Sequence, residues 1–248
     1  MTMSVGLDPK TQKAALEGVM PWLVPDGLAA EALARLDRPL LAWMQDPEFH
    51  MFDSAAHYAE YEDEPGGLSR LERKIAKLPP RPEWAMERVW TPDEETDAAY
   101  DAAYGKACVT IGGYRLHPRD LDAYTTIAYE LADLADQDEE FDPNDLDSEA
   151  DLVRGDLEAA LSWAAAGVCV LQQSLPYPFR DVLPYGELDN RPAHRLVYAY
   201  ANLLSLKHPR KADPWFTAMV YFSPMDNMGA RFHAPGGPSA LPHPAVTL

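Results

Sequence analysis

The chain has 248 residues, 40 of them acidic against 21 basic, for a formal net charge of −19. Hydrophobic residues make up 47% and charged residues 25%, a globular composition with enough length for one domain or two small ones and a sizeable core. The charge weighs against direct binding to nucleic-acid phosphate or to an anionic membrane surface, since both depend on Lys and Arg.

The opening stretch from Met1 to Lys10 has no apolar run behind a basic one, so no signal peptide is expected. No segment approaches the length of a membrane span. Cys108 and Cys169 lie far apart and outside any CxxC, which argues against a disulfide framework or structural zinc and for a reducing cytoplasm.

In the first half, helices are expected near residues 8–20, 26–36, 47–62, 68–78 and 92–106. Asp8-Pro9, Asp46-Pro47 and Thr91-Pro92 each read as an N-cap followed by Pro at the first helical position. Thr91 with Glu94 fits a capping box. Pro79, Pro80 and Pro82 mark a break. Val109-Thr110-Ile111 has the composition of a short strand, but it runs at once into Gly112-Gly113 and is read as a turn.

Periodicity is clearer beyond residue 117. Leu121, Tyr124, Ile127, Leu131 and Leu134 repeat at helical spacing across 118–136. Val153, Leu157, Leu161, Ala164, Val168 and Leu171 do so across 148–174. Leu196, Val197, Tyr200, Leu203 and Leu204 mark a helix over 192–207, and Trp215, Phe216, Met219 and Val220 a short one from Asp213 to Phe222. His117-Pro118, Arg191-Pro192 and Asp213-Pro214 are read as helix starts. Residues 233–248 lack periodicity and read as a mobile tail. With no alternating strands in view, the expected class is all-α.

The strongest anomaly is charge. Between Arg119 and Arg154 there are thirteen carboxylates and no Lys or Arg. The densest part, 136–151, includes Asp138, Glu139, Glu140, Asp142 and Asp145. It reads as a loop between two helices, either simply solvated or steering a basic partner. A calcium loop would need a Gly at its sixth position, which is missing.

Other chemistry is sparse. GxGxxG, Walker, GxSxG, HExxH and Glu-x-x-His patterns are all absent. His50, Asp53, His57 and Glu60 would share one stripe of a helix and supply metal-ligand types, though the same stripe flanks the apolar residues Phe49, Phe52, Ala56 and Ala59 and can be plain solvated surface. His194 is conceivable as a base. Arg191, Arg195, Asp226 and Arg231 are better explained by helix capping and by pairing with carboxylates or helix-end carbonyls.

Three phrases occur in a familiar order. Pro118-Arg119-Asp120-Leu121-Asp122-Ala123-Tyr124 opens a helix and continues to Ile127-Ala128. Gly186 to Arg195 reads "GELDNRPAHR", with Arg191, Pro192 and Arg195 at its end. Ser223 to Phe232 reads "SPMDNMGARF", with Asp226, Asn227, Gly229 and Arg231. This order resembles bacterial tetratricopeptide-like proteins related to the suppression-of-tumorigenicity-seven family, over about residues 107–232. Ser223 stands where relatives have Asn and Met228 where they have Gln, and 136–151 looks like an insertion. The resemblance implies stacked antiparallel helix pairs; a helical region over 1–106 is expected to pack against them. It implies no catalytic residue and no cofactor, and a concave surface that takes a peptide or partner helix.

The expected function is therefore binding of a basic protein or peptide by an acidic helical-repeat module in the cytoplasm. The enzyme alternative uses a metal at His50, Asp53, His57 and Glu60 or in the acidic loop. A third reading is a nucleic-acid mimic, although its charges would cluster in one loop rather than spread along a face.

Overall fold

The computed structural model describes residues 6–8, 10, 14–46, 53–59, 67–89, 97–133, 155–225 and 228–238. Its eight α-helices among these residues are α1 (Leu28–Ala34), α2 (Ser54–Ala59), α3 (Arg70–Ile75), α4 (Asp97–Ala107), α5 (Leu121–Ala132), α6 (Leu157–Gln172), α7 (Arg191–Lys207) and α8 (Pro209–Phe222). The class is mostly helical but not purely so. Three two-stranded antiparallel ribbons pair β1 (Gly6–Leu7) with β2 (Leu23–Val24), β3 (Ala42–Met44) with β4 (Trp84–Met86), and β5 (Val109–Ile111) with β6 (Tyr114–Leu116).

α6 forms the centre. Every residue from Trp163 to Gln172 is buried. Gly167 is the contact point: a Cβ there would lie 2.7 Å from Tyr124 of α5 and 2.8 Å from Leu196 of α7, so the helices approach more closely than a larger residue permits. α5 and α6 run antiparallel, since Tyr124 meets Gly167 while Asp156 N–H donates to the Leu131 carbonyl at 2.8 Å. α7 and α8 are also antiparallel: the rings of His194 and Phe222 are 5.3 Å apart, and those of Tyr200 and Trp215 4.9 Å. One apolar core runs from Met20 to Ala234. Gln172, 2% exposed, ties the N-terminal segment to it, donating to the Pro21 carbonyl and accepting from Leu23 N–H.

Several boundaries depart from expectation for identifiable reasons. α5 begins at Leu121 rather than at Pro118, because the Asp120 carboxylate caps it, accepting from the N–H groups of Asp122 and Ala123. α6 begins at Leu157, capped by Asp156. α8 begins at Pro209 and carries Pro214 inside it, so Asp213 is no N-cap; its carbonyl accepts from the Thr217 hydroxyl instead. α7 does begin at Arg191-Pro192. Within the expected helix near 8–20, Lys10 and Ala14 are helical, a 3-10 turn follows at Ala15–Glu17, and Asp8 accepts from Lys10 N–H.

Gly112 and Gly113, with φ of +53° and +89°, are the turn of a hairpin whose strands the turn reading omitted. The supposed tail is packed at its start: Ala234 is buried, and Gly236 accepts from Leu71 N–H at 2.9 Å. Among the described residues, no helix is long and apolar enough to cross a membrane.

β4 has an unusual outer edge. β3 covers one side, and the outward groups of Trp84 and Met86 face away from it. Trp84 N–H donates to the Val182 carbonyl at 2.9 Å. The Asn190 side chain does the rest, accepting from Met86 N–H at 3.1 Å and donating to the carbonyls of Trp84 and Pro184 at 2.9 and 3.0 Å. One side-chain amide thus stands in for a neighbouring strand and locks the ribbon to the start of α7.

Candidate functional site

An open cleft of about 650 Å³ lies beside α5. Its floor is apolar, built from Leu40, Met86, Leu116, Leu121 and Ile127, all buried. Its walls come from separate parts of the chain: the end of β4, α4 at Tyr104, the β5–β6 hairpin, the loop before α7, and one face of α5. On α5 the lining positions Asp122, Thr126 and Glu130 recur every fourth residue, so a single helix face borders the cleft.

Charge rings this floor. Glu87 holds the Arg38 guanidinium in a two-pronged bond at 2.7 and 2.8 Å, and a third bond comes from Arg119 at 3.0 Å. Burial works against the ionised Glu87, yet the Arg38 bond and the two guanidinium charges outweigh it and hold the carboxyl below its ordinary range. Arg119 also lies 3.5 Å from Asp37. Asp122 and Arg195 form another two-pronged pair at 2.8 and 2.5 Å, and Arg88 meets Asp189 at 2.7 Å.

Asp120 is engaged three times, since besides its two capping bonds it accepts from the Tyr104 hydroxyl at 2.5 Å. Burial and this carboxylate both push the Tyr104 phenol far up, outweighing a bond from the His117 backbone, so the hydroxyl stays protonated and donates to Asp120. Tyr104 in turn stacks on His117, 5.3 Å away. Burial and the nearby Arg119 push the His117 imidazole down, and its Nδ1 accepts from Arg119 N–H.

The residues singled out from the sequence are scattered. Asp138, Glu139, Glu140, Asp142 and Asp145 lie outside the described residues, as do His50, Glu60, Asp226 and Asn227. The described residues on either side of the acidic run meet: Gly155 N–H donates to the Ala132 carbonyl at 3.0 Å, at the end of α5. Asp53 caps α2, accepting from the N–H groups of Ala55 and Ala56 at 2.9 and 3.2 Å, while His57 lies edge-on to Tyr58. Among the described residues, no three His, Cys, Asp or Glu side chains group as metal ligands.

Arg191 donates to the Tyr185 carbonyl at 3.3 Å and lies over that ring, and Pro192 follows it in the first turn of α7. Arg231 pairs with Glu72 at 3.4 Å, and Gly229, with φ of +73°, starts the 3-10 turn that holds Arg231. Arg195 and Pro192 are the only two of this set that border the cleft among the described residues. His194 does not open to it. It is fully buried, with Nε2 2.7 Å from the Leu183 carbonyl and Nδ1 without a partner, and burial pushes its pKa down to about 4.

The sequence reading overlooked Tyr104, Glu87, Arg88 and Arg115 as cleft residues. One signal did point there: three of the thirteen carboxylates in the base-free stretch, Asp120, Asp122 and Glu130, line the cleft. No protein family, curated protein or solved structure is matched by this chain.

Proposed function

We propose that the protein is a binding module that holds a segment of another protein in the α5 cleft and draws its partner in by negative charge. The observation that carries this reading is the cleft itself: an apolar floor open to solvent between walls of charged side chains. Such a site suits apolar anchoring with polar orientation. The two antiparallel helix pairs beside it are consistent with the helical-repeat arrangement implied by the sequence resemblance. The net charge of −19, and the acidic run attached at the end of α5, favour a basic partner. Free Cys108 and Cys169 suit the reducing cytoplasm as the place of action.

The test is capture of partners from native extract at low and high salt, with the wild-type chain beside Thr126→Trp. Thr126 is exposed and faces the cleft, so an indole there fills the cleft without entering the core. The expected result is a partner held at low salt, released at high salt, and absent from the Thr126→Trp capture. Capture that ignores both the salt and the indole would overturn the proposal.

A further inference from the structure

The charges around the cleft do not all cancel within the protein. Arg88, Arg119 and Arg195 face Asp189, Glu87 and Asp122 respectively. Asp120 is filled by a hydroxyl and two backbone N–H groups. Besides Asp120, two lining groups have no ionic partner among the described residues. Arg115 donates one bond, to the Gly105 carbonyl at 2.6 Å, and Glu130 makes none. They are opposite in sign and stand on different walls, Arg115 on β6 and Glu130 in the last turn of α5.

Their surroundings reinforce each sign. Glu130 lies at the negative end of the α5 dipole, next to Asp133 and to the base-free acidic run. A cation is favoured there. Every other guanidinium around the cleft is already neutralised, so a carboxylate entering the cleft gains most at Arg115. Both groups are exposed, so neither carries a desolvation cost while the cleft is empty.

The length of the α5 lining limits what the floor holds. The lining face of α5 from Asp122 to Glu130 covers eight residues of helical rise, about 12 Å. An extended chain advances about 3.3 Å per residue, so the floor accommodates about four residues.

We infer, building on the proposed function, that the segment held in the cleft is dipolar: about four residues with an apolar middle, a basic side chain on Glu130 and an acidic side chain on Arg115. A purely basic segment leaves Arg115 unanswered, and a purely acidic one meets the negative end of α5. The inference thus separates the partner as a whole, which the charge of the chain selects as basic, from its docking segment, which carries both signs.

The experiment titrates the full chain with four capped peptides and follows amide resonances and affinity together. Two are dipolar, acetyl-Arg-Leu-Leu-Glu-amide and acetyl-Glu-Leu-Leu-Arg-amide. One is neutral, acetyl-Gln-Leu-Leu-Gln-amide, and one is doubly basic, acetyl-Arg-Leu-Leu-Arg-amide. The expected result is that one dipolar order binds about tenfold more tightly than the neutral peptide, the gain of two partly exposed charge pairs. Glu130→Gln removes the arginine's share of that gain, and Arg115→Gln removes the glutamate's. The double reversal Arg115→Glu with Glu130→Arg turns the preference to the opposite order.

If the neutral or doubly basic peptide moves the Thr126 and Ile127 amides and binds as tightly as the preferred dipolar one, the dipolar inference falls and the cleft remains a binding site. If no peptide moves those amides, or if binding survives Thr126→Trp, both the inference and the proposed function fall.

Discussion

Asn190→Ala is the sharpest test of how this fold is held. Asn190 is fully buried, and its amide serves Met86 N–H and the carbonyls of Trp84 and Pro184. Alanine leaves three backbone groups without partners. Each buried, unpaired group costs about 1–3 kcal/mol, and water entering the vacated space recovers part of that. A net loss of about 3–4 kcal/mol follows. For a chain of this size each kcal/mol lowers the melting temperature by about 2–4 °C, so a drop of about 10 °C is expected by calorimetry or circular dichroism. Asn190→Asp keeps the shape and the acceptor for Met86 but has no donor for the two carbonyls and adds a buried charge, so it should cost at least as much. Because Met86, Glu87 and Arg88 border the cleft from the end of the locked ribbon, and Pro192 and Arg195 from the helix it is locked to, both variants should also weaken partner capture. An alanine variant melting within about 2 °C of wild type would refute the view that this amide replaces a strand.

Gly155→Ala should lower the melting temperature, because its Cβ would lie 2.1 Å from the Leu131 carbonyl oxygen and break the closure between α5 and α6, whereas Gly186→Ala, which meets nothing within 4 Å, should leave it unchanged. His194 stays neutral in the fold to about pH 4 but protonates near 6.5 when unfolded, so the unfolded chain binds more protons between those values and stability falls as pH drops through that window. The full effect is about 3 kcal/mol, and His194→Gln should flatten that part of the stability–pH curve relative to wild type; an unchanged curve would show that the imidazole is not held neutral. Reversing Asp138, Glu139, Glu140, Asp142 and Asp145 to Lys should slow association with the captured partner and flatten its salt dependence, with the melting temperature as control; unchanged stopped-flow rates would remove the steering role.

The second half of the fold was legible because its helices are long and one-sided. α7 spans 191–207 where the apolar spacing and Pro192 place a helix over 192–207. Errors arose where one cue had two uses. Asp213-Pro214 has the form of a capped helix start, but Pro209 had already begun α8, and the ring of Pro214 is tolerated five residues in. The strands escaped notice because each is two or three residues long, too short for alternation to register against helical texture. The glycines of the β5–β6 turn were recognised, but not the strands they join. The cleft was legible only as an imbalance of charge. Its lining comes from parts of the chain as distant as Leu40 and Arg195, and nothing local marks Tyr104 or Arg115 as neighbours of α5.

An acidic chain that surrounds one cleft with paired arginines uses those pairs for position more than for stability. Exposed pairs contribute little, and the Arg195–Asp122 pair has both side chains 42% exposed. Partly buried pairs lose much of their Coulomb energy to desolvation, as Glu87 illustrates: burial opposes its charge and two guanidiniums restore it. What the pairs do fix is geometry. Glu87 joins the end of β4 to Arg119, just ahead of α5, and to Arg38, just ahead of β3. Asp122 joins α5 to α7 through Arg195, and Asp189 joins the loop before α7 to Arg88. The Arg38 bond reinforces the β3–β4 pairing, and the other bridges link walls that no strand pairing joins. Glu130 links no walls and Arg115 reaches only a neutral carbonyl, that of Gly105 on α4, so neither charge is answered by an opposite charge in the empty cleft and both are left to meet what enters it.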